Sequence, residues 1–582
     1  MPAHRKRFLD YCLGNFFLAC TAGEIHAASP PDAGQVLETV QPQVAPVPSK
    51  STSPLEVQSP DKPAMAQPSG VQVTVKAFRI VGATVFTERD LLDLLQSFQD
   101  RLLGLADLEQ AAAAITRFYR NNGYLVARAY VPAQEIKDGV VEIAVLEGRV
   151  GRVDLQMKNR DGRLTSTAAE EVVTGSVKPG NVVQEDDFER GLLLLNDLPG
   201  MDVRSTLVPG ASVGTSDLIV EAYEAYWING SVEADNLGNR YTDRARVGAT
   251  LNLDNPARAG DRLSLRVLSS GSGMNYGRLS YLSPVGVRGT KLGAVYSHVD
   301  YKLGRELDSL NANGDADVTS LFVLHPFERT RRFSLFGTLG SDHKTFTNRA
   351  NGAVTSDKTD DLFSSGVSGE SRDNAGGGGV NSFDATFAGG KLDLGGSAGD
   401  QAADAASART EGRFYKFGYH AARLQRLADE VSFYAAWQGQ RASTNLDSSE
   451  KFVLGGPLGV RAYPQGEASA DEADLLNLEL RWDTTAAWAP GNFQWAAFLD
   501  AGRARLHKES WSGWEGGNTR LTNIYSLYGT GIALTWSERN RYLVRASYAH
   551  KLGPNPGRDS NDRDSDNTDD NGRFWLQATA WF

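Results

Sequence analysis

Beyond Tyr226 the chain is written in segments of roughly ten residues in which apolar and polar side chains alternate, separated by Gly, Asn, Asp and Pro. Clear examples are Arg246 to Leu253, Arg262 to Leu268, Phe333 to Leu339, Phe433 to Gly439, Leu475 to Trp482, Phe493 to Leu499, Tyr542 to Tyr548 and Phe574 to Phe582. Alternation sends successive side chains to opposite faces of a strand. A strand rising about 3.4 Å per residue and tilted about 40° crosses an apolar band 25 Å tall in roughly ten residues. No window supplies the roughly 18 uninterrupted apolar residues of a spanning helix. A sheet that crosses lipid must close on itself, because lipid leaves an open edge unsatisfied.

Between Trp227 and Phe582 the pattern predicts about sixteen strands, an even number that returns both barrel ends to one side. Asp317 to Leu324 and Asp361 to Ser368 are the least regular. Gly369 to Arg409 supplies one strand, Asn381 to Leu394, between two loops rich in Gly, Ala, Asp and Ser that are both expected outside.

The net charge of −11 and the scattered basic residues exclude nucleic acid as a natural partner. Both cysteines, Cys12 and Cys20, fall in a segment laid out as a secretory leader over residues 1–28. Basic His4-Arg5-Lys6-Arg7 precedes apolar Tyr11 to Ala19, and small Ala27-Ala28 marks the cleavage region, which is favoured over the lipoprotein-like Phe17-Leu18-Ala19-Cys20. The mature chain would then carry no disulfide and no thiolate metal site. Residues 29–70, rich in Pro, Gln, Ser and Val, read as an extended linker in which Gln35 to Val40 can form a turn of helix.

Order begins with the alternating run Val71 to Val81. A helix is predicted over Leu105 to Asn122, where Leu108, Ala112, Ile115 and Tyr119 share a face and Gly123 supplies the stop. Strands Leu125 to Val131 and Val140 to Val145 complete a β-α-α-β-β module over 71–148. The pattern recurs over 149–225 as strand Val150 to Met157, helices Thr167 to Thr174 and Glu185 to Asn196, then strands Val203 to Val208 and Ser216 to Ala222. Two successive copies make an internal repeat.

Two pieces of the barrel region stand out. Gly455-Gly456-Pro457-Leu458-Gly459-Val460-Arg461-Ala462-Tyr463 is a Gly-rich turn, and Phe498-Leu499-Asp500-Ala501-Gly502 lies in an alternating strand. Phe498, Asp500 and Gly502 share one face of that strand, the luminal one, with Trp495, Ala497, Leu499 and Ala501 on the other. An arginine on a loop is most often solvated. If this loop folds back into the lumen, however, Arg461 needs a buried partner, and Asp500 can meet its planar guanidinium in a luminal salt bridge. The last strand places Phe574, Leu576, Ala578, Ala580 and Phe582 on one apolar face.

Chemistry is otherwise sparse. The eight histidines, among them His298, His325, His343, His420, His507 and His550, show no metal-ligand spacing. Gly376 to Gly379 lacks the Lys-Ser or Lys-Thr of a phosphate loop and reads as a flexible loop. The expectation is no catalytic set, no cofactor and no metal, and hence no enzyme.

These motifs carry a family resemblance. Gly123-Tyr124-Leu125-Val126-Ala127-Arg128-Ala129, Val131-Pro132-Ala133-Gln134, Asp138-Gly139 and Glu147-Gly148 resemble the first polypeptide-transport-associated (POTRA) domain of two-partner secretion transporters. Leu195-Asn196-Asp197-Leu198-Pro199-Gly200, Pro209-Gly210 and Gly214-Thr215-Ser216-Asp217-Leu218 resemble the second. Val460-Arg461-Ala462-Tyr463 is similar to the tip of the sixth extracellular loop of the Omp85 superfamily, placed here at about 450–474, with Ala462 where the family has glycine. Phe498, Asp500 and Gly502 match the family's barrel-wall motif, and Phe582 resembles the C-terminal signal of outer-membrane barrels.

The chain is thus identified as similar to the TpsB type of the ShlB/FhaC/HecB family. The resemblance implies a membrane all-β fold, a 16-stranded outer-membrane β-barrel over 226–582 preceded by two periplasmic α+β POTRA domains. It further implies that the POTRA domains recognise an unfolded TpsA-type exoprotein, of the haemolysin or adhesin kind, which crosses the pore to the cell surface without ATP. Implied partners are that substrate, outer-membrane lipids and, during biogenesis, periplasmic chaperones and the barrel-assembly machinery. In some relatives an N-terminal helix plugs the pore. A barrel-assembly factor of the same superfamily and a passive porin are the alternatives; two modules rather than a longer array favour secretion.

Overall fold

In the computed structural model, residues 31–40, 56–57, 72–158, 162–518 and 520–582 are described. The leader, both cysteines and most of the Pro-rich stretch lie outside the described residues. The alternating half of the chain forms one closed barrel of sixteen strands in sequence order. They are β1 (Ile228–Asp235), β2 (Arg246–Asp254), β3 (Arg262–Ser269), β4 (Met274–Val285), β5 (Thr290–Lys302), β6 (Asn313–Arg329), β7 (Phe333–Ala350), β8 (Ala353–Asp373), β9 (Gly379–Asp393), β10 (Gly412–Arg426), β11 (Val431–Ala442), β12 (Glu472–Ala486), β13 (Ala489–Arg505), β14 (Ile524–Glu538), β15 (Tyr542–Lys551) and β16 (Gly572–Trp581). Closure joins β1 to β16 from Ser231↔Trp581 to Asp235↔Gln577. Gly230 and Phe582 then exchange backbone hydrogen bonds of 3.1 and 3.0 Å, so the terminal residue itself extends the seam.

The irregular segments are complete strands. β6 and β8 run for 17 and 21 residues, longer than a membrane crossing requires. Their outer ends carry Asp315, Asp317, Asp357 and Asp361, which suits a wall standing above the apolar band. Within the band the alternate face is apolar and exposed, as at Leu265, Leu279, Leu321, Leu339, Phe363 and Ile532.

One expectation is corrected. Hairpin connections of an antiparallel barrel alternate between its two ends, so the loops flanking β9 cannot both face outward. Residues 374–378 turn at the end where the two N-terminal modules sit, and 394–411, which contains the helix Ala398–Ala406, lies at the far end. The glycines of the first loop make a tight turn, with φ of 59°, 98° and 105° at Gly376, Gly377 and Gly378, a region open to glycine without strain.

The first module folds as a sheet of Ala77–Val81, Val140–Leu146 and Arg128–Tyr130 under the helices Glu88–Asp93 and Leu105–Asn121. The run expected over Val71 to Val81 breaks at Lys76. Lys76 and Ala77 both donate backbone N–H to the Gly139 carbonyl, at 2.8 and 3.3 Å, and Gln72–Val75 pairs separately with Arg101–Gly104. The strand expected from Leu125 starts only at Arg128, because a turn bonds Ala127 N–H to the Tyr124 carbonyl.

The second module has the sheet order Met201–Pro209, Thr215–Glu224, Arg149–Met157, with helices Ser166–Thr174 and Glu185–Asn196. The linker adds Glu56–Val57 parallel to its outer strand. This module docks on the barrel rim through Asp197, whose carboxylate accepts from Arg329 Nε and Nη2 at 2.7 Å each. Arg190 donates to the Pro326 carbonyl beside it at 2.8 Å.

Helix α1 (Ala33–Val40) lies inside the barrel. Asp32 caps it by accepting from Gln35 N–H at 3.0 Å. Ala33, Val36, Leu37 and Val40 are buried against a luminal apolar patch that includes Tyr276, Val299, Val318 and Phe346. Its final carbonyls, Thr39 and Val40, accept from Arg246 and Arg266 at 3.3 and 3.2 Å, cations placed at the negative end of the helix dipole.

The first module is tied by one buried carboxylate. Glu147 accepts from Thr84 N–H at 2.6 Å, Val85 N–H at 2.8 Å and the Tyr119 hydroxyl at 2.9 Å. Burial pushes its carboxyl up, but hydrogen bonds from Thr84, Val85 and Tyr119 outweigh that and hold it below its ordinary value of 4.5. A depressed acid contributes stability that is present above the unfolded value and lost as pH falls through the folded one. Hydrogen-exchange protection of the first module is therefore expected to fall on acidification below about pH 4.5, and in Glu147→Gln this acid-dependent loss should be much smaller.

Candidate functional site: the seat of loop 6

The long outer connection between β11 and β12, residues 443–471, does not extend into solvent. Its tip turns into the lumen, where Leu454, Val460, Ala462 and Tyr463 are fully buried against Leu475, Phe498 and Leu527 of the wall. Such a descent requires bare wall. A Cβ on Gly502 of β13 would lie 2.7 Å from the Leu454 side chain, and one on Gly529 of β14 would lie 2.8 Å from the Ala462 Cβ. Ala462 is outside the positive-φ region, so alanine fits here without backbone strain.

Arg461 is 4 % exposed and Asp500 is 0 % exposed. Nε of Arg461 donates to Asp500 Oδ2 at 2.9 Å and Nη2 to Oδ1 at 2.7 Å, while its own backbone N–H reaches Oδ2 at 3.0 Å. Nη1 donates to Glu479 Oε1 of β12 at 2.6 Å. The guanidinium lies 3.5 Å from the centroid of Phe498, in cation–π contact. Asn477 Nδ2 donates to Asp500 Oδ1 at 2.7 Å and to the Gly459 carbonyl at 3.2 Å. Trp575 Nε1 of β16 donates to the Arg461 carbonyl at 2.8 Å. Each of the three guanidinium nitrogens thus donates to a carboxylate, the pairing a buried cation requires.

The structure brings Val460, Arg461, Ala462, Tyr463, Phe498, Asp500 and Gly502 into one cluster, and leaves Phe582 apart at the seam. Sequence reading missed Asn477, Glu479, Trp575 and, at the rim, Arg329. Asn477, Glu479 and Arg481 occupy the luminal face of a strand whose other face is Leu476, Leu478 and Leu480. Those polar residues on the inward row were the available signal for the first two.

On the POTRA side of the clamp lies a recess of about 390 Å³ lined by Glu479, Arg481, Gln494, Thr535, Arg545 and Gln577. It offers charge and hydrogen bonding, and no nucleophile with an activating base. On the outer side loop 6 is held by other loops. Asp471 accepts from Lys508 N–H at 2.7 Å and pairs with Lys451 at 2.7 Å. Glu467 accepts from Asn555 Nδ2 and Ser565 N–H, each at 2.8 Å. Burial pushes His507, in the next outer loop, down to about 4, and Lys451 acts in the same direction, so this imidazole is neutral at neutral pH. Among the described residues no group of acidic, His or Cys side chains could hold a metal ion.

A closed barrel with POTRA modules at one mouth and a loop seated in its lumen defines an outer-membrane protein transporter. The family described as haemolysin secretion/activation protein ShlB/FhaC/HecB matches residues 214–519, and the ShlB-type POTRA domain matches residues 73–148. The chain belongs to that family of transporters. It is 28% identical to the heme/hemopexin transporter protein HuxB of Haemophilus influenzae (strain ATCC 51907), over 96% of each chain. It is 25% identical to the outer membrane transporter CdiB of Dickeya dadantii, over 80% of each. Its fold is similar to that of CdiB from Escherichia coli, with TM-score 0.71 and 22% identity over 90% of this chain and 93% of that one. The barrel lies in the outer membrane with its POTRA modules in the periplasm, and the protein is the transporter component that secretes a TpsA-type exoprotein.

The tight fit at Gly529 is testable. Gly529→Val should block seating of loop 6 and open the chain at Arg461 to trypsin added to intact cells. Gly529→Ala should show a weaker form of the same exposure, and adding Ala462→Gly should restore protection by returning the space.

Proposed function

We propose that the second periplasmic module, docked on the rim, delivers an unfolded exoprotein into a lumen that two displaceable elements occupy at rest. The single observation that carries this reading is that α1 and loop 6 fill the lumen through polar clamps and side-chain packing while the wall is complete without them. A passing chain can therefore replace their contacts without breaking the barrel ladder. The domain limits are the leader over 1–28, the linker over 29–70, POTRA modules over 71–148 and 149–225, and the barrel over 226–582.

The modules suit capture of an extended chain, which can add a strand through main-chain hydrogen bonds. Val460, Arg461, Ala462 and Tyr463 with Phe498, Asp500 and Gly502 set the resting position of loop 6, and Phe582 serves recognition by the barrel-assembly machinery after chaperoned transit. The exposed apolar band takes outer-membrane lipids. With no nucleotide motif and no ATP in the periplasm, direction comes from folding of the exported chain outside, which makes retreat unfavourable. No catalysis is assigned to the protein.

Arg461→Ala should reduce secretion severalfold while the barrel still assembles, read from exoprotein in the medium and from heat-dependent electrophoretic mobility. Normal secretion at wild-type membrane levels would contradict the reading. Deleting Val71 to Ala222 should abolish export; a passive porin would keep its conductance and its function without those residues.

A further inference from the structure

At its cell-surface end the outer wall carries a row of side chains that takes no part in the luminal contacts of α1 and loop 6. Cross-strand registration sets His343 of β7, Asp361 of β8, Lys391 of β9 and Arg413 of β10 side by side. The next row toward the membrane centre is Ser341, Phe363, Gly389 and Tyr415. Phe363 and Tyr415 are among the exposed apolar side chains, so the charged row sits at the upper edge of the lipid-facing band.

The charges of this row do not balance among themselves. Asp361 is engaged by His343 Nδ1 at 2.7 Å. Lys391 stands opposite Asp361, and its one ion pair among the described residues is with Asp393, at 3.5 Å and largely solvated. Arg413, directly opposite Lys391, has no ion pair or side-chain hydrogen bond among the described residues. Like charges facing each other across two strands are destabilising unless an anion lies between them. The rim on the β5–β8 side is different, since Asp300, Asp315, Asp317 and Asp357 make it acidic. The cationic pair is therefore local to β9 and β10.

Beneath the pair the wall is shaped for hydrocarbon. Phe387 and Tyr415 stack with centroids 5.9 Å apart and planes 18° from parallel. Gly389 permits this, because a Cβ there would lie 2.9 Å from the Tyr415 ring. We propose that Lys391 and Arg413 bind the phosphate of an outer-leaflet lipid headgroup, with its acyl chains lying along Phe387, Tyr415 and Phe363. A phosphate accepts both guanidinium donors at once and takes the ammonium as a point charge. It removes the like-charge repulsion at the level where headgroups lie. The inference rests on the outer-membrane placement of the barrel and not on the route of export.

The test uses the full chain, purified and stripped of lipid by detergent exchange, with heat-dependent electrophoretic mobility confirming a folded barrel in each variant. Native mass spectrometry then follows titration with lipid A, with phosphatidylcholine and inorganic phosphate as separate arms. Wild type should take up lipid A in preference to phosphatidylcholine. The Lys391→Gln/Arg413→Gln double variant should bind lipid A about thirtyfold more weakly, from two lost surface cations. The charge-preserving Lys391→Arg/Arg413→Lys variant should retain binding. Equal lipid A affinity in the double Gln variant, or displacement of lipid A by an equal concentration of inorganic phosphate, would overturn the site. The readout is lipid affinity, so failure here leaves the export reading standing.

Discussion

A guanidinium removed from water inside a barrel can persist only where carboxylates and hydrogen-bond acceptors surround it, and the architecture of the lumen follows from that demand at Arg461. Asp500 takes two of its side-chain donors and its backbone N–H, Glu479 takes another, and Phe498 covers its face. Removing one partner of such a buried pair typically costs about 3–5 kcal/mol, since the other charge is left uncompensated. That cost holds a 29-residue excursion, 443–471, against the inner wall. Trp575 extends the restraint to the last strand, which itself forms the closing seam with β1.

The other half of the lumen is held differently. There α1 covers an apolar patch, with Asp32, Arg246 and Arg266 at its ends and Glu38 of its last turn near Lys344 and Lys416. One side of the pore is thus restrained by the ion cluster around Arg461, and the other by hydrophobic contact together with ion pairs, among them buried Lys358 with Asp32 and Asp447. At the periplasmic rim the pair Asp197 and Arg329 fixes the second module against the turn after β6. The three contacts lie in the lumen or at its periplasmic mouth.

Much of this was legible in the sequence because it rests on local periodicity. Alternation marks a two-faced wall, so the strands around Arg246, Phe493 and Tyr542 were readable from pattern, as were the amphipathic helices ending at Asn121 and Asn196. Properties set by distant residues were not readable in the same way. β6 and β8 lose apolar alternation where they rise above the membrane, and the pairing of Gln72–Val75 with Arg101–Gly104 splits a run that looks continuous. The side on which residues 374–378 turn follows from counting hairpins rather than from loop composition. Glu479 and Trp575 become part of the Arg461 seat only because three strands and a loop converge there, and neither stands near Arg461 or Asp500 in a recognisable motif.

The account turns on Arg461 and Asp500 acting as one unit, which a double-mutant cycle tests directly. Arg461→Ala, Asp500→Ala and the double variant would be compared with wild type by hydrogen exchange at residues 454–463 in the folded, full-length protein. If the pair is the clamp, each single change should release the loop strongly and the double should cost little more than either, giving a coupling of about 3 kcal/mol. Strictly additive effects, or protection that survives either single change, would contradict it.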